Sequence, residues 1–301
     1  VRILIVGAGA TGGAFGARLV DAGRDVAFLV RPARAEALRR DGLRLRAPDG
    51  DATRPARAIT AAELHREPAG FDLVIVTVKA AGLDAAIEDV RPAVGPGTVV
   101  LPVLNGMAHL GPLEEAFPGR VLGGLAHIVA SLEDDGAVTQ LTDLSVVTVP
   151  AGHPALAEAL DVPGIDLVVS PDITGAMWEK WAFIAAMGVV CCLFRAPIGA
   201  VLEAGGEAHV RAVIAETEAV AAAAGHPVSA ASHERTVAVL TATGSPVTSS
   251  LYRDLVAGRP TEAEPVLGDL AARARGLGVA VPLLDLTLTQ VRADALQRAT
   301  R

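Results

Sequence analysis

Residues 2–12 read RILIVGAGATG. Ile3-Leu4-Ile5-Val6 is a continuous apolar run, which predicts a strand buried on both faces. Glycines follow at positions 7, 9 and 12, and GGAFGARLVDAG (12–23) then places Phe15, Leu19 and Val20 roughly on one helix face. A strand, a G-x-G-x-x-G turn and a helix in immediate succession predict a dinucleotide site. The first glycine permits the tight turn, the second lets the backbone approach a pyrophosphate, and the third allows close helix–strand packing. The helix N-terminus then faces the phosphates. Gly7, Ala8, Gly9, Ala10, Thr11 and Gly12 are the candidate cofactor-binding residues. The alternative is a glycine-rich turn with no ligand.

Outward from this motif the first half alternates strand-like and helical patterns. DVAFLV (25–30), FDLVIVTVKA (71–80), TVVLPVLNG (98–106), GRVLGGLAHIVA (119–130), AVTQLTD (137–143), LSVVTVPA (144–151) and IDLVVS (165–170) read as strands. LDAAIEDVRPAV (83–94) reads as a helix, and GLRLRAP (42–48) with the segment through ARAIT (56–60) as an alternating hairpin. This alternation predicts a parallel sheet covered on both faces. Near residue 170 the pattern changes, with Ser170 or Asp172 as helix cap. Helical stretches follow at 173–194, 207–225, 230–244, 249–258, 262–278 and 283–299. The expected organisation is an α/β domain over residues 1–170 and an all-helical domain over 171–301.

Composition narrows the function classes. The 301 residues are 51% hydrophobic, ample for buried cores, and the formal net charge of -8 disfavours a nucleic-acid surface. The two cysteines, Cys191 and Cys192, are adjacent; that spacing suits neither a disulfide nor a metal site. They read as buried thiols of a reduced compartment. The longest apolar run, Trp181 to Phe194, has 14 residues, short of the ~18–20 that span a bilayer. No signal peptide pattern opens the sequence. The expectation is a cytoplasmic protein that binds neither nucleic acid nor membrane.

Of 26 basic residues only Lys79 and Lys180 are lysine. Lysine is a compact charge whose pKa falls on burial, whereas arginine stays protonated. Lys79 ends a strand on the side where open α/β sheets bind ligands, and Asn105-Gly106 ends the next; an Asn-Gly pair is also a common turn. The second strand ends in Arg31-Pro-Ala-Arg34 with no acid. An acid there would favour NAD; an arginine suits the 2′-phosphate of NADP. Lys180 sits in MWEKWAFIAAMG (177–188). Its helical neighbours Ala176, Met177, Phe183, Ile184, Met187 and Gly188 offer no side-chain hydrogen bond. Such an amine needs a cavity, a carboxylate or a ligand; the bland alternative reaches to water at the helix edge. Glu262 and Glu264 open a helix, where acids commonly serve the helix dipole. Ser249-Ser250 reads first as a helix cap.

Taken in order, GAGATGG, VTVKA, LNGM, the WxK of MWEKW and TSSLYRDLVAGRPTEAEP (248–265) resemble the ketopantoate reductase (2-dehydropantoate 2-reductase) family over nearly the whole chain. The resemblance implies a Rossmann-type N-terminal domain carrying NADPH and a helical C-terminal domain for substrate and dimerisation. It implies that Gly7, Gly9 and Gly12 hold phosphate, Arg31 the 2′-phosphate, and that Lys79 lies near the cofactor. Asn105 would meet nicotinamide and substrate, Lys180 would be the catalytic lysine, and Ser250 and Glu262 would hold substrate, Glu262 beside the lysine. The implied reaction is reduction of a 2-oxo acid ketone, with Lys180 giving the proton. The chain departs from the family pattern four and eight residues beyond the lysine. Family members carry asparagines there; this chain has Ile184 and Gly188, so a more apolar substrate than ketopantoate is expected. The rival readings are another NADP-dependent dehydrogenase or imine reductase, or a non-catalytic NADP-binding sensor. The long apolar helices bury against each other or across a dimer, and a homodimer is the expected assembly.

Overall fold

The computed structural model describes residues 1–66 and 70–299. The chain divides into two compact units. The first holds Val1–Leu104 and His109–Ile173; the second holds Asn105–Ala108 and Thr174–Arg301.

The first unit contains strands β1 (Arg2–Val6), β2 (Asp25–Leu29), β3 (Leu43–Arg46), β4 (Ala52–Arg54), β5 (Arg57–Ile59), β6 (Leu73–Val76), β7 (Val99–Pro102), β8 (Leu125–Leu132), β9 (Val138–Pro150) and β10 (Asp166–Ser170). Its helices are α1 (Ala10–Asp21), α2 (Pro32–Asp41), α3 (Ala61–Arg66), α4 (Leu83–Val90), α5 (Leu110–Ala116) and α6 (Pro154–Leu160). One parallel sheet has the order β5-β2-β1-β6-β7. Alternation along β1 divides its core. Ile3 and Ile5 face a cluster with α1, α6 and the second sheet, while Leu4 and Val6 face a cluster with α3, α4 and α5. Burial on both faces is why the strand reads as unbroken apolar sequence.

The second sheet, of order β10-β9-β3-β4 with β8 on β9, is mixed rather than parallel. Three expectations are corrected here. The hairpin expected of GLRLRAP and the segment through ARAIT forms, but it ends before ARAIT. β3 pairs antiparallel with β4, and β5 departs to pair parallel with β2 in the other sheet. AVTQLTD and LSVVTVPA are one strand, β9; the polar middle, Leu141 to Leu144, is exposed and hid the continuity. The α/β half therefore holds two sheets, with α1 packed between them. A Cβ at Gly13 would press on Val138 Cγ2 at 2.6 Å, whereas Gly12 and Gly16 face Thr77, Ile5 and Phe28. The short helices α3, α5 and α6 carry too few turns to show in the sequence pattern, and α2 buries only Ala35 and Leu38, too sparse an apolar stripe to read.

The second unit is helical. It contains α7 (Ile173–Phe194), α8 (Ile198–Glu203), α9 (Glu207–Ala223), α10 (Ala230–Leu240), α11 (Ser250–Val256), α12 (Asp269–Gly276) and α13 (Pro282–Ala299). Ser170 Oγ accepts the Asp172 amide at 3.1 Å just ahead of α7. A π-helical turn, Glu264–Gly268, precedes α12. Helix α9 packs against α10, α12 and α13. By length and composition α7 is apolar enough to cross a membrane, with a mean hydropathy of 1.5; the helix runs on through Lys180, beyond the apolar run read from the sequence. Of that window 61% is buried inside the protein, as in a core helix. Cys191 and Cys192 are buried and unbridged, and burial pushes the Cys192 thiol up to about 12.

Candidate functional site

The glycine loop is built as its sequence predicts. Gly7 has φ of 98°, a left-handed conformation costly for any residue with a Cβ. Gly9, the residue at the N-cap of α1, would point a Cβ into open space. A Cβ at Gly12 would overlap the Gly7 carbonyl oxygen and Thr77 Oγ1. Thr77 is a participant the sequence reading missed. Its hydroxyl hydrogen-bonds the carbonyls of Val6 and Gly7, each at 3.0 Å, so β6 fixes the turn leaving β1. The loop thus keeps room at its second glycine and none at its third, the arrangement a pyrophosphate-binding turn needs. Ala8 is buried, while Ala10 and Thr11 are half-exposed.

Arg31 is the N-cap residue of α2, with an exposed side chain beyond the end of β2. Arg34, one turn on, is a brace: Nη2 donates to the Ala8 carbonyl at 3.0 Å and Nη1 to the Gly136 carbonyl at 2.8 Å. Lys79 is exposed, at the start of the 3-10 turn Ala80–Gly82 that follows β6. These residues belong to the first unit.

The other candidates gather in the second unit around α7. The tilted pair Trp178 and Trp181, with ring centroids 4.9 Å apart, anchors this helix. The Arg273 guanidinium lies over both rings, at 5.7 and 5.3 Å, a contact worth about 0.5–2 kcal/mol. Trp181 donates its indole N–H to the Val266 carbonyl at 2.8 Å. That carbonyl lies in the π-helical turn, a form frequent at functional sites. A Cβ at Gly106 would lie 2.8 Å from the neighbouring Pro265 carbonyl. Gly106 itself has φ of 73°. The Asn105–Ala108 segment and the residues just after Glu262 therefore converge on the face of Trp181, next in sequence to Lys180.

With α7 fixed in rotation, one of its faces stays half-open. Between residues 176 and 187, the half-exposed positions are Ala176, Glu179, Lys180, Phe183, Ile184 and Met187; the others are buried. Their spacing of three and four places them on one side of the helix. Glu179 is committed to accepting the Ser229 amide at 2.9 Å. Lys180 is the cation of this face. Burial of its ammonium pushes its pKa down to about 8, and the carboxylate of Glu262 opposes that fall. The structure thus brings Lys180 and Glu262 together. Glu264 is differently employed, in a two-bond ion pair with Arg292 at 2.7 Å. Of the two serines, Ser249 is the cap, accepting the Tyr252 amide at 3.0 Å, and it is buried. Ser250 is exposed on the first turn of α11. Gly188, further along α7, is in contact with Leu251: a Cβ there would lie 2.9 Å from Leu251 Cδ1 and 3.7 Å from Leu267 Cδ2.

The profile of the family described as ketopantoate reductase PanE/ApbA matches residues 3–152, and that of ketopantoate reductase PanE/ApbA C terminal matches residues 172–295. The chain belongs to the ketopantoate reductase family. An uncharacterized oxidoreductase of Bacillus subtilis (strain 168), YkpB, is 34% identical over 294 residues, covering 95% of this chain and 96% of the relative. The crystal structure of 2-dehydropantoate 2-reductase from Methylococcus capsulatus matches with a TM-score of 0.86 at 29% identity, covering 99% of this chain and 98% of that one. A D-mandelate dehydrogenase, solved with NADH and anilino(oxo)acetate, matches with a TM-score of 0.88 over 99% of each chain; at 23% identity this is a likeness of fold. This ketopantoate reductase relative is thus an oxidoreductase with a Rossmann-type α/β half and an all-helical half.

Proposed function

We propose that this family member is an NADPH-dependent reductase that converts the ketone of a 2-oxo acid, ketopantoate or a more apolar analogue, into a hydroxyl, with Lys180 as general acid. The observation that carries the reading is the state of Lys180. It stands on the half-open face of α7 with the Glu262 carboxylate near it; partial burial lowers its pKa to about 8, and Glu262 supports the charged form. At pH 7 such a group is mostly protonated yet gives up its proton far more readily than an ordinary lysine. It can polarise a carbonyl oxygen and donate a proton as the alkoxide develops, where its charge is worth most. Arginine could stabilise the same charge but could hardly release the proton.

The remaining candidates take roles around this step. The open space at Gly9 and the close packing at Gly12 suit a pyrophosphate on the Gly7–Gly12 turn at the N-terminus of α1. The exposed guanidinium of Arg31 suits a 2′-phosphate. When bound, NADPH supplies the hydride. Lys79 and Asn105, at successive strand ends, are assigned to the cofactor, Asn105 also to the substrate. Ser250 and Glu262 are assigned to the substrate, and Glu262 also orients Lys180. Steady-state NADPH oxidation with ketopantoate and a panel of other 2-oxo acids tests the function. Turnover of at least one, with product hydroxy acid, is expected; failure with every 2-oxo acid contradicts it.

A further inference from the structure

The face of α7 that carries Lys180 has a polarity pattern that bears on substrate choice. On its C-terminal side the half-exposed residues are Phe183, Ile184 and Met187, all apolar. Phe183 and Ile184 follow the lysine by three and four residues, so they flank it directly, and Met187 continues the same face. The adjoining position, Gly188, has no side chain, and the space beside it is taken by Leu251. Leu251 is 6% exposed, the first buried residue after the Ser249 cap of α11. The cap fixes the start of α11 and so holds the leucine against the glycine. Gly188 and Leu251 are therefore a coupled pair. A polar side chain at 188 would need Leu251 to move, and none of these five residues presents a side-chain hydrogen-bond donor or any acceptor stronger than the Met187 thioether.

We infer that this face is the seat of the substrate's carbon chain, with Ile184 as its wall and Leu251, over Gly188, closing its far end, and that it selects 2-oxo acids whose chain bears no hydroxyl. This rests on the reading of Lys180 as the residue that meets the ketone. A hydroxylated chain laid along Phe183, Ile184 and Met187 would give up hydrogen bonds to water and gain none. An apolar chain would gain contact without that loss. Discrimination from an apolar wall is bounded, because such a wall rejects an added hydroxyl by only about 100-fold.

The test compares 3,3-dimethyl-2-oxobutanoate with ketopantoate, its 4-hydroxy derivative, so that one oxygen distinguishes the substrates. The full-length enzyme with NADPH is expected to show kcat/KM about 10–100-fold higher for the deoxy acid. Ile184→Asn should move the ratio at least about tenfold towards ketopantoate. Gly188→Asn with Leu251→Ala should do the same, and Gly188→Asn alone less so, because Leu251 still occupies the space. Preference of the parent enzyme for ketopantoate overturns the inference while leaving the reductase reading intact. So does a ratio unmoved in Ile184→Asn when NADPH still shifts that variant's Tm. Absence of turnover on both acids overturns the reading and the inference with it.

Discussion

A lysine with a pKa near 8 makes a kinetic statement at the residue scale. The general acid must be protonated in the free enzyme, so kcat/KM for ketone reduction should fall as pH rises through about 8. Burial lowers this pKa and Glu262 raises it. Glu262→Gln removes only the raising influence, so the alkaline limb should move to lower pH. A pH–rate profile checks both expectations; a limb that stays put or moves up argues against the pairing. Lys180 could be singled out from sequence because residue type alone marks it, one of two lysines among 26 basic residues. Leu251 could not. Its importance lies in a contact with Gly188, 63 positions away in the chain, and no local pattern encodes such a partner. Gly188 was legible only as a missing amide, whereas the structure shows what occupies the space beside it.

At the scale of elements, the glycine loop separates folding from binding. Gly12→Ala forces a Cβ into the Gly7 carbonyl and Thr77 Oγ1, backbone and hydrogen-bonded side chain that cannot easily yield. It should cost about 1–3 kcal/mol, by analogy with overpacked cores, and lower Tm as well as cofactor affinity. Gly9→Ala meets nothing within 4 Å. It should leave Tm almost unchanged while weakening NADPH binding, because its methyl enters the space assigned to the pyrophosphate. Thermal melts and a binding titration on the two variants check the contrast. The strand, turn and helix here were legible because each rests on contiguous residues. The fates of β4 and β5 were not, because pairing is a non-local choice: Arg57–Ile59 joins β2, although the chain has just left β4. The π-helical turn after Glu262 was also hidden, and it supplies the carbonyl that holds Trp181.

For the whole molecule, cofactor binding should register as stability. A ligand that binds only the folded chain at 100 times its Kd adds about 2.7 kcal/mol, so NADPH should raise Tm measurably. If Arg31 meets the 2′-phosphate, Arg31→Ala should weaken NADPH by about 10–100-fold, the weight of a charge-assisted hydrogen bond. NADH should be little affected. Equal losses for the two cofactors would remove Arg31 from that role. The two-part organisation was legible because the period of the apolar pattern changes near residue 170, where β10 gives way to α7. The second sheet was not. Its strands β9 and β10 expose Leu141, Leu144, Val168 and Val169, so their residues do not alternate cleanly between core and solvent.

The central claim is that Lys180 donates the proton in ketone reduction. Its most direct test is turnover by Lys180→Ala, with NADPH binding measured on the same preparation. The account predicts a loss of at least about a hundredfold in kcat, with NADPH affinity and Tm shift retained. A Lys180→Ala enzyme that reduces its 2-oxo acid at the parent rate would contradict it.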